Sequence, residues 1–186
     1  MNAPELRKWL SQPRLALTAA VAACVQEHVA TLRSRGLDFY GYALLPGEPY
    51  DIRSLVAAFN CESDITPATD DQEQRYFRYS VDEWQHYESE GFGPANKLLA
   101  EASRAFAAMH VKDEDDCNMD EFELAHSNSL LNAVLEGLEA AKAKGVFGVS
   151  SFLVLWIHDS DHEFIVRSAQ RLNSASVAKE AIAAVV

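Results

Sequence analysis

Ser151–Ile157, with the sequence SFLVLWI, is the most hydrophobic stretch of the chain and decides its fold class. A continuous apolar run of this length is typical of a β-strand that is buried on both faces. We therefore predict a central strand here. Such a strand needs other strands beside it and helices over it, which the rest of the chain has to supply.

Three further segments have the aromatic and β-branched composition of strands. Phe39–Leu45 (FYGYALL) is predicted to be a strand that ends at the Pro46-Gly47 turn. Ile52–Asn60 is predicted to pair back on it as a hairpin, although the apolar residues 55–59 also fit a helical turn. Arg75–Tyr79 (RYFRY) is predicted to be a strand that follows a solvated loop over residues 62–74.

Helix signals alternate with these strands. Pro13 and Gly36 bound a helix over about residues 14–35, and Gly93-Pro94 opens another. Ser80 and Glu83 have the spacing of a capping box before a short helix with Trp84. The remaining predicted helices cover about residues 121–144, 162–172 and 174–186. The pattern predicts one α+β domain over residues 1–186, with a small antiparallel or mixed sheet packed against several helices.

The net charge limits the possible partners. Sixteen Lys and Arg face 28 Asp and Glu among 186 residues, which gives −12 at pH 7. Phosphate backbones repel such a surface, and the basic residues form no run, so we expect no direct nucleic-acid binding. The acidic excess has two interpretations, which are solubility and attraction of a basic protein partner.

The N-terminal apolar run has two interpretations. Leu15–Ala23 followed by Cys24 resembles a bacterial lipoprotein cleavage box. However, the run is too short to span a bilayer, and its apolar positions recur at the spacing of an amphipathic helix. The three cysteines, Cys24, Cys61 and Cys117, include no CxxC pair, which favours free thiols in a reducing compartment. We expect a cytoplasmic protein without a membrane anchor or a cofactor.

The strongest candidate for chemistry is the segment His158–Glu163 (HDSDHE), which directly follows the predicted buried strand. His158, Asp159, Asp161 and His162 are ligand types that can hold a divalent metal ion for hydrolysis. The alternative is structural, because Ser160 and Glu163 also have the spacing of a helix-capping box.

The other histidines and cysteines give weaker signals. His28 falls on the apolar stripe of the first helix, where a hydrogen-bonded core residue is expected. His86, His110 and His126 have no partner at metal-ligand spacing, and Cys61 has no local histidine. No nucleotide-binding loop, nucleophile elbow or zinc-protease motif is present in the sequence, so we assign no catalytic residue.

Two motifs resemble a bacterial family catalogued as a domain of unknown function (DUF4303-like). They are Tyr76–Trp84 (YFRYSVDEW) and Leu155–Asp161 (LWIHDSD), and the resemblance extends from about Leu15 to Asn173. The resemblance implies no catalytic residues. It implies framework roles for Trp84 and Trp156, and some similar domains are suspected to be immunity proteins that neutralise a toxin.

Two functional hypotheses follow. The first is an immunity-type protein whose acidic surface covers a basic toxin, such as a nuclease, over an interface of about 1,600 Å². The acidic runs do not match the EF-hand pattern and are typical of solvated loops; the binding hypothesis makes them part of an acidic docking face. The residues expected at this interface are Asp70, Asp71, Glu73, Asp113, Glu114, Asp115 and Asp116. The alternative is a metal-assisted hydrolase that uses the His158–Glu163 segment.

Overall fold

A mixed sheet of four strands organises the residues that the computed structural model describes, which are 3–47, 52–110, 119–148, 151–158 and 163–185. The strands are β1 (Phe39–Leu45), β2 (Val56–Cys61), β3 (His86–Glu88) and β4 (Phe152–Leu155). Their order is β3-β2-β1-β4, with β2 antiparallel to both β1 and β3, and β4 parallel to β1. The predicted α+β class with a mixed sheet is confirmed.

The helices surround this sheet. They are α1 (Ala3–Leu10), α2 (Leu15–Ser34), α3 (Asp71–Tyr79), α4 (Gly93–Met109), α5 (Glu121–Ala143), α6 (Glu163–Leu172) and α7 (Ala175–Val185). Helices α2, α4 and α5 pack together on one face, where His28 of α2 contacts Tyr42 of β1. Tyr79, at the end of α3, packs its ring on Phe152 on the other face, and α3 packs against α7.

Helix α2 is a core helix, as its amphipathic spacing predicts. Leu17, Val21, Val25 and Leu32 are almost completely buried, and so is Cys24. By length and composition the stretch Ala3–Ser34 also passes as a membrane-crossing segment, with a mean hydropathy of 1.4, but 44% of its apolar window is buried inside the protein. Core helices of soluble proteins give the same signal.

Strand β4 lies at an edge of the sheet, so the prediction of a central strand was wrong. It is nevertheless buried, because α6 and the turn after it cover its free edge. The backbone N–H of Leu155 donates to Ser168 Oγ at 2.9 Å, and the N–H of Leu153 donates to Asn173 Oδ1 at 2.9 Å. These two side chains take the place of a neighbouring strand, because they accept the hydrogen bonds of backbone N–H groups at the free edge of β4.

The strand predicted at Arg75–Tyr79 is wrong, because this segment forms α3. Asp70 is its N-cap, and the carboxylate of Asp70 accepts hydrogen bonds from the N–H groups of Gln72 and Glu73, both at 2.9 Å. This cap starts a helix inside the stretch that the sequence predicts as a loop. The third strand is β3, which the sequence does not indicate, and the predicted hairpin strand begins at Val56 rather than at Ile52.

The segment after α3 also differs from the prediction. Val81–Glu83 forms one turn of 3₁₀-helix, and Ser80 provides no side-chain cap, so the capping box and the short helix at Trp84 were wrong. The long helix α5 agrees better. Asp120 caps it, together with Glu123, and Gly145 follows its end with φ +73°, the left-handed conformation that glycine often adopts just after a helix.

Helices α2 and α5 make the most extensive helix contact, and Gly137 of α5 lies at their crossing. A Cβ atom at residue 137 would lie 2.6 Å from Val21 Cβ and 2.9 Å from the carbonyl oxygen of Thr18. The missing side chain therefore allows the two helices to approach this closely.

We expect Gly137→Ala to lower the free energy of unfolding by about 1–3 kcal/mol, because the added methyl group meets backbone and Cβ atoms that cannot rotate away. Gly93→Ala is the matched control, since nothing lies within 4 Å of its Cβ position. Urea unfolding followed by circular dichroism measures both changes. Equal stability of the two variants would contradict the close-packing argument.

Candidate functional site

The two sequence motifs meet on the face of the sheet that carries α3. Trp84 is buried with its indole ring against Gly41, where a Cβ atom would lie only 2.6 Å from Trp84 Cη2. The indole N–H of Trp84 donates to the carbonyl oxygen of Arg78 at 3.1 Å, and its ring contacts Phe152 of β4. The framework role expected of Trp84 agrees with this packing, which brings residues 80–84 beside the segment that follows β4.

Asp82 connects the motifs. Its Oδ1 atom accepts a hydrogen bond from the indole N–H of Trp156 at 2.9 Å and also contacts Nδ1 of His158. Trp156 is 5% exposed, whereas the His158 side chain is 54% exposed. The carboxylate therefore joins a buried indole to a surface imidazole and fixes the orientation of both.

Two exposed tyrosines extend this arrangement. The ring of Tyr87 stacks on His158 with a centroid distance of 6.1 Å, and the hydroxyl of Tyr76 donates to Glu83 at 3.2 Å. Although its ring is partly exposed, the hydroxyl of Tyr87 donates to the carbonyl oxygen of Val81, and burial there raises its pKa to about 12, with the negative charges of Asp82 and Glu83 adding to the effect. We call this set the acidic–tyrosine surface; its members are Tyr76, Asp82, Glu83, Tyr87 and His158.

The predicted acidic residues lie only partly near this surface. Asp70 and Asp71 are exposed at the start of α3. Glu73 lies one helical turn before Tyr76, and its carboxylate accepts hydrogen bonds from the backbone N–H and the hydroxyl of Thr69. The other four predicted partner-binding residues, Asp113, Glu114, Asp115 and Asp116, lie outside the described residues.

The proposed metal ligands are only partly described. His158 lies at the acidic–tyrosine surface with Asp82 beside it. Glu163 is the exposed first residue of α6. Asp159, Asp161 and His162 lie outside the described residues, and so does the serine of the alternative capping box.

A different cluster corrects the view that Cys61 and His86 have no suitable partner. The pairing of β2 with β3 brings Cys61, Asp64 and His86 together, with ligand atoms that all lie within 4.8 Å of one another. Asp64 Oδ2 accepts from His86 Nε2 at 3.0 Å, and this hydrogen bond is the main reason that the pKa of Asp64 is lowered. Burial, and then the carboxylate of Asp64, raise the pKa of the Cys61 thiol.

His28 is a hydrogen-bonded core residue, as predicted. Its Nδ1 lies 2.9 Å from the hydroxyl of Tyr42, and its Nε2 lies 3.1 Å from Glu88, which also pairs with Arg35 at 2.7 Å. Burial lowers the pKa of His28 in spite of the neighbouring carboxylate. A neutral ring satisfies both contacts by accepting from Tyr42 and donating to Glu88, so the network is structural.

A cavity of about 270 Å³ between α4 and α5 contains a second buried histidine. The ring of His126 stacks between Phe106, at 4.3 Å, and Trp9, at 5.9 Å. Its two nitrogens have no hydrogen-bond partner among the protein atoms that the structure describes. Burial, and then the charge of Arg14, lower the pKa of His126 to about 4.

The sequence contains part of the signal for this site. Asp82 and His158 both fall within the quoted motifs, yet they are 76 positions apart, so spacing does not reveal their contact. Tyr87 and His86 lie on a three-residue strand that is too short to give a periodic pattern. Their roles depend on strand pairing.

Comparison with known proteins gives one result. The family model described as "Domain of unknown function (DUF4303)" matches residues 17–174 of the chain. Neither the curated proteins nor the solved structures include a significant match.

We expect His126 to make the protein sensitive to acid. Its pKa is about 4 in the folded protein, below the ordinary histidine value of 6.5, so the unfolded chain binds the proton first. The neutral ring of His126 therefore contributes its full stability above pH 6.5. This contribution is lost as the pH falls towards 4, where the free energy of unfolding is lower by about 3 kcal/mol.

His126→Phe keeps the stacking on Phe106 and removes the titrating group. Between pH 7.5 and pH 4.5 the free energy of unfolding, measured in urea, should fall less for this variant than for the parent protein. Parallel pH profiles for the two proteins would refute the assignment.

Proposed function

The chain belongs to the family of the domain of unknown function DUF4303, and we propose that it is an acidic cytoplasmic binding protein of immunity type. It neutralises a cognate basic protein toxin by covering the toxin's surface. The acidic–tyrosine surface supports this proposal, because it combines exposed aromatic rings with carboxylates in one connected patch.

The composition of the surface fits a binding site for cations. Tyr76 is 40% exposed and Tyr87 is 41% exposed, which is unusual for large aromatic side chains in this protein. Arginine and lysine side chains of a partner can stack on such rings and pair with Asp82 and Glu83 beside them. Tyrosines of this kind are frequent among the residues that dominate binding energy.

The protein's own cations leave the patch acidic. Helix α3 carries Arg75 and Arg78 next to Tyr76, but these arginines pair with Glu180 and Glu62. The distances are 3.4 Å for Arg75–Glu180 and 2.6 Å for Arg78–Glu62. The charge of −12 over the whole chain would further speed the approach of a basic partner and make the association rate dependent on salt.

The exposed start of α3 extends the patch. Glu73 and Tyr76 are three residues apart on one helix, so their side chains share a face. Asp70 and Asp71 precede them at the N-terminus of the same helix. Of the acidic residues predicted from the sequence, the proposal places these three at the rim of the interface. The run Asp113–Asp116 stays a prediction, since it lies outside the described residues.

The first experiment is an affinity capture from the protein's native cells at low salt with the tagged chain and three variants. We expect one stoichiometric basic protein, released by raised salt, whose toxicity in a test strain is suppressed by co-expression of the chain. Tyr87→Ala should weaken binding about tenfold or more, since a central aromatic contact is often worth about 2 kcal/mol. Glu83→Lys should slow association.

Glu101→Lys is the matched control, because it makes the same charge change on an exposed position of α4. It should retain the partner. The proposal fails if the parent chain captures no stoichiometric partner, or if Glu101→Lys and Glu83→Lys reduce binding equally. The second result would mean that net charge alone attracts the partner.

The contact between Asp82 and His158 favours a second candidate function, the hydrolase. A carboxylate that holds one imidazole nitrogen leaves the other directed away from it, which is the arrangement of a general base. In this proposal, a metal-assisted hydrolase, Asp82 orients His158, and Asp159, Asp161 and His162 are the further metal ligands predicted from the sequence. Unchanged hydrolysis of model phosphate and carboxylic esters after His158→Ala would eliminate it.

A further inference from the structure

The cluster of Cys61, Asp64 and His86 lies on the face of β3 opposite to Tyr87. Cys61 ends β2, Asp64 follows in the next turn, and His86 begins β3. In the ladder between these strands Phe59 is paired with His86, and Cys61 lies two residues further on the same face of β2. A sulfur, a carboxylate oxygen and an imidazole nitrogen thereby come within 4.8 Å of one another.

The protein holds each of these side chains in place. The ring of His86 stacks on Phe59 with a centroid distance of 4.8 Å and an interplanar angle of 6°. Asp64 accepts from His86 at 3.0 Å, from the backbone N–H of Cys61 at 3.3 Å and from the hydroxyl of Ser63 at 3.0 Å. The side chains therefore keep their relative orientation without an ion.

The spacing and the ligand types fit a particular class of metal. Metal–sulfur distances of about 2.3 Å and metal–nitrogen distances of about 2.0 Å place the ligand atoms of a tetrahedral site about 3.5 Å apart. The three ligand atoms already lie within 4.8 Å of one another, so small side-chain movements bring them to this spacing. Thiolate and imidazole select zinc-like ions over magnesium and calcium, which prefer oxygen ligands.

The surrounding charge also favours a cation. Asp64 is itself a ligand, and Asp38 lies close enough to Cys61 to act on its thiol. Glu62 is the neighbouring acid, but its charge is matched by Arg78 at 2.6 Å. The local excess of negative charge is therefore concentrated at the cluster itself.

We propose that Cys61 Sγ, one carboxylate oxygen of Asp64 and one imidazole nitrogen of His86 form a three-ligand site for a zinc-class divalent metal ion. Coordination replaces the thiol proton of Cys61, which passes to solvent, and separates the hydrogen bond between Asp64 and His86. The fourth tetrahedral position is open to water or to a further ligand. The site lies on the other face of β3 from the acidic–tyrosine surface, and it does not depend on the proposed function.

Cobalt(II) tests the proposal, because a thiolate bound to it gives a charge-transfer band in the near ultraviolet. The full-length chain, stripped with a chelator and kept reduced with a phosphine, should develop this band at one equivalent of Co²⁺. One equivalent of Zn²⁺ should remove the band and raise the midpoint of thermal unfolding. Absence of the band in the parent protein would overturn the proposal.

The variants separate this site from other thiols. Cys61→Ser should abolish the band, whereas Cys117→Ser should keep it. His86→Phe retains the stacking on Phe59 but removes the ligand nitrogen, and it should weaken Co²⁺ binding at least tenfold while the circular dichroism spectrum is unchanged. Asp64→Asn should weaken binding as well. A band that survives Cys61→Ser, or that disappears in Cys117→Ser, would assign the metal to a different thiol and contradict the proposal.

Discussion

The packing of Trp84 on the bare backbone of Gly41 is the constraint on which the acidic–tyrosine surface depends. The ring occupies the space of a missing side chain in β1, with 2.6 Å between Cη2 and the position of a Cβ atom. Because the ring is anchored there, the preceding turn at residues 81–83 is held over the same face of the sheet. Asp82 then reaches Trp156, which follows β4, and the two distant motifs form one surface.

The short strand β3 has a role out of proportion to its three residues. Alternation along a strand directs His86 and Glu88 to one face and Tyr87 to the other. On the first face Glu88 completes the buried network of His28, and His86 reaches Cys61 and Asp64. On the second face Tyr87 stacks on His158. The pairing of β3 with β2 therefore positions both the proposed metal ligands and part of the proposed interface.

The wrong strand predictions have definite physical reasons. Residues 152–157 are apolar throughout, which indicates burial on both faces. Burial by a helix at the edge and burial by neighbouring strands leave the same pattern. Ser168 and Asn173 accept hydrogen bonds from the backbone N–H groups at the open edge of β4, so no further strand is needed there. In Arg75–Tyr79 the aromatic residues suggested a strand, yet the cap supplied by Asp70 is local and starts a helix before them.

The sequence by itself determined the α+β class, the hairpin strand β1, the boundaries of α2 and α5 and the buried role of His28, because periodicity, proline and glycine act on neighbouring residues. It also carried both family motifs and the acidic charge. The tertiary structure alone decided that Asp82 meets His158 across 76 positions and that Cys61 meets His86 across two strands. Such contacts depend on which strands pair and on which ring fills which gap. That outcome follows from packing of the whole chain and leaves no local pattern in the sequence.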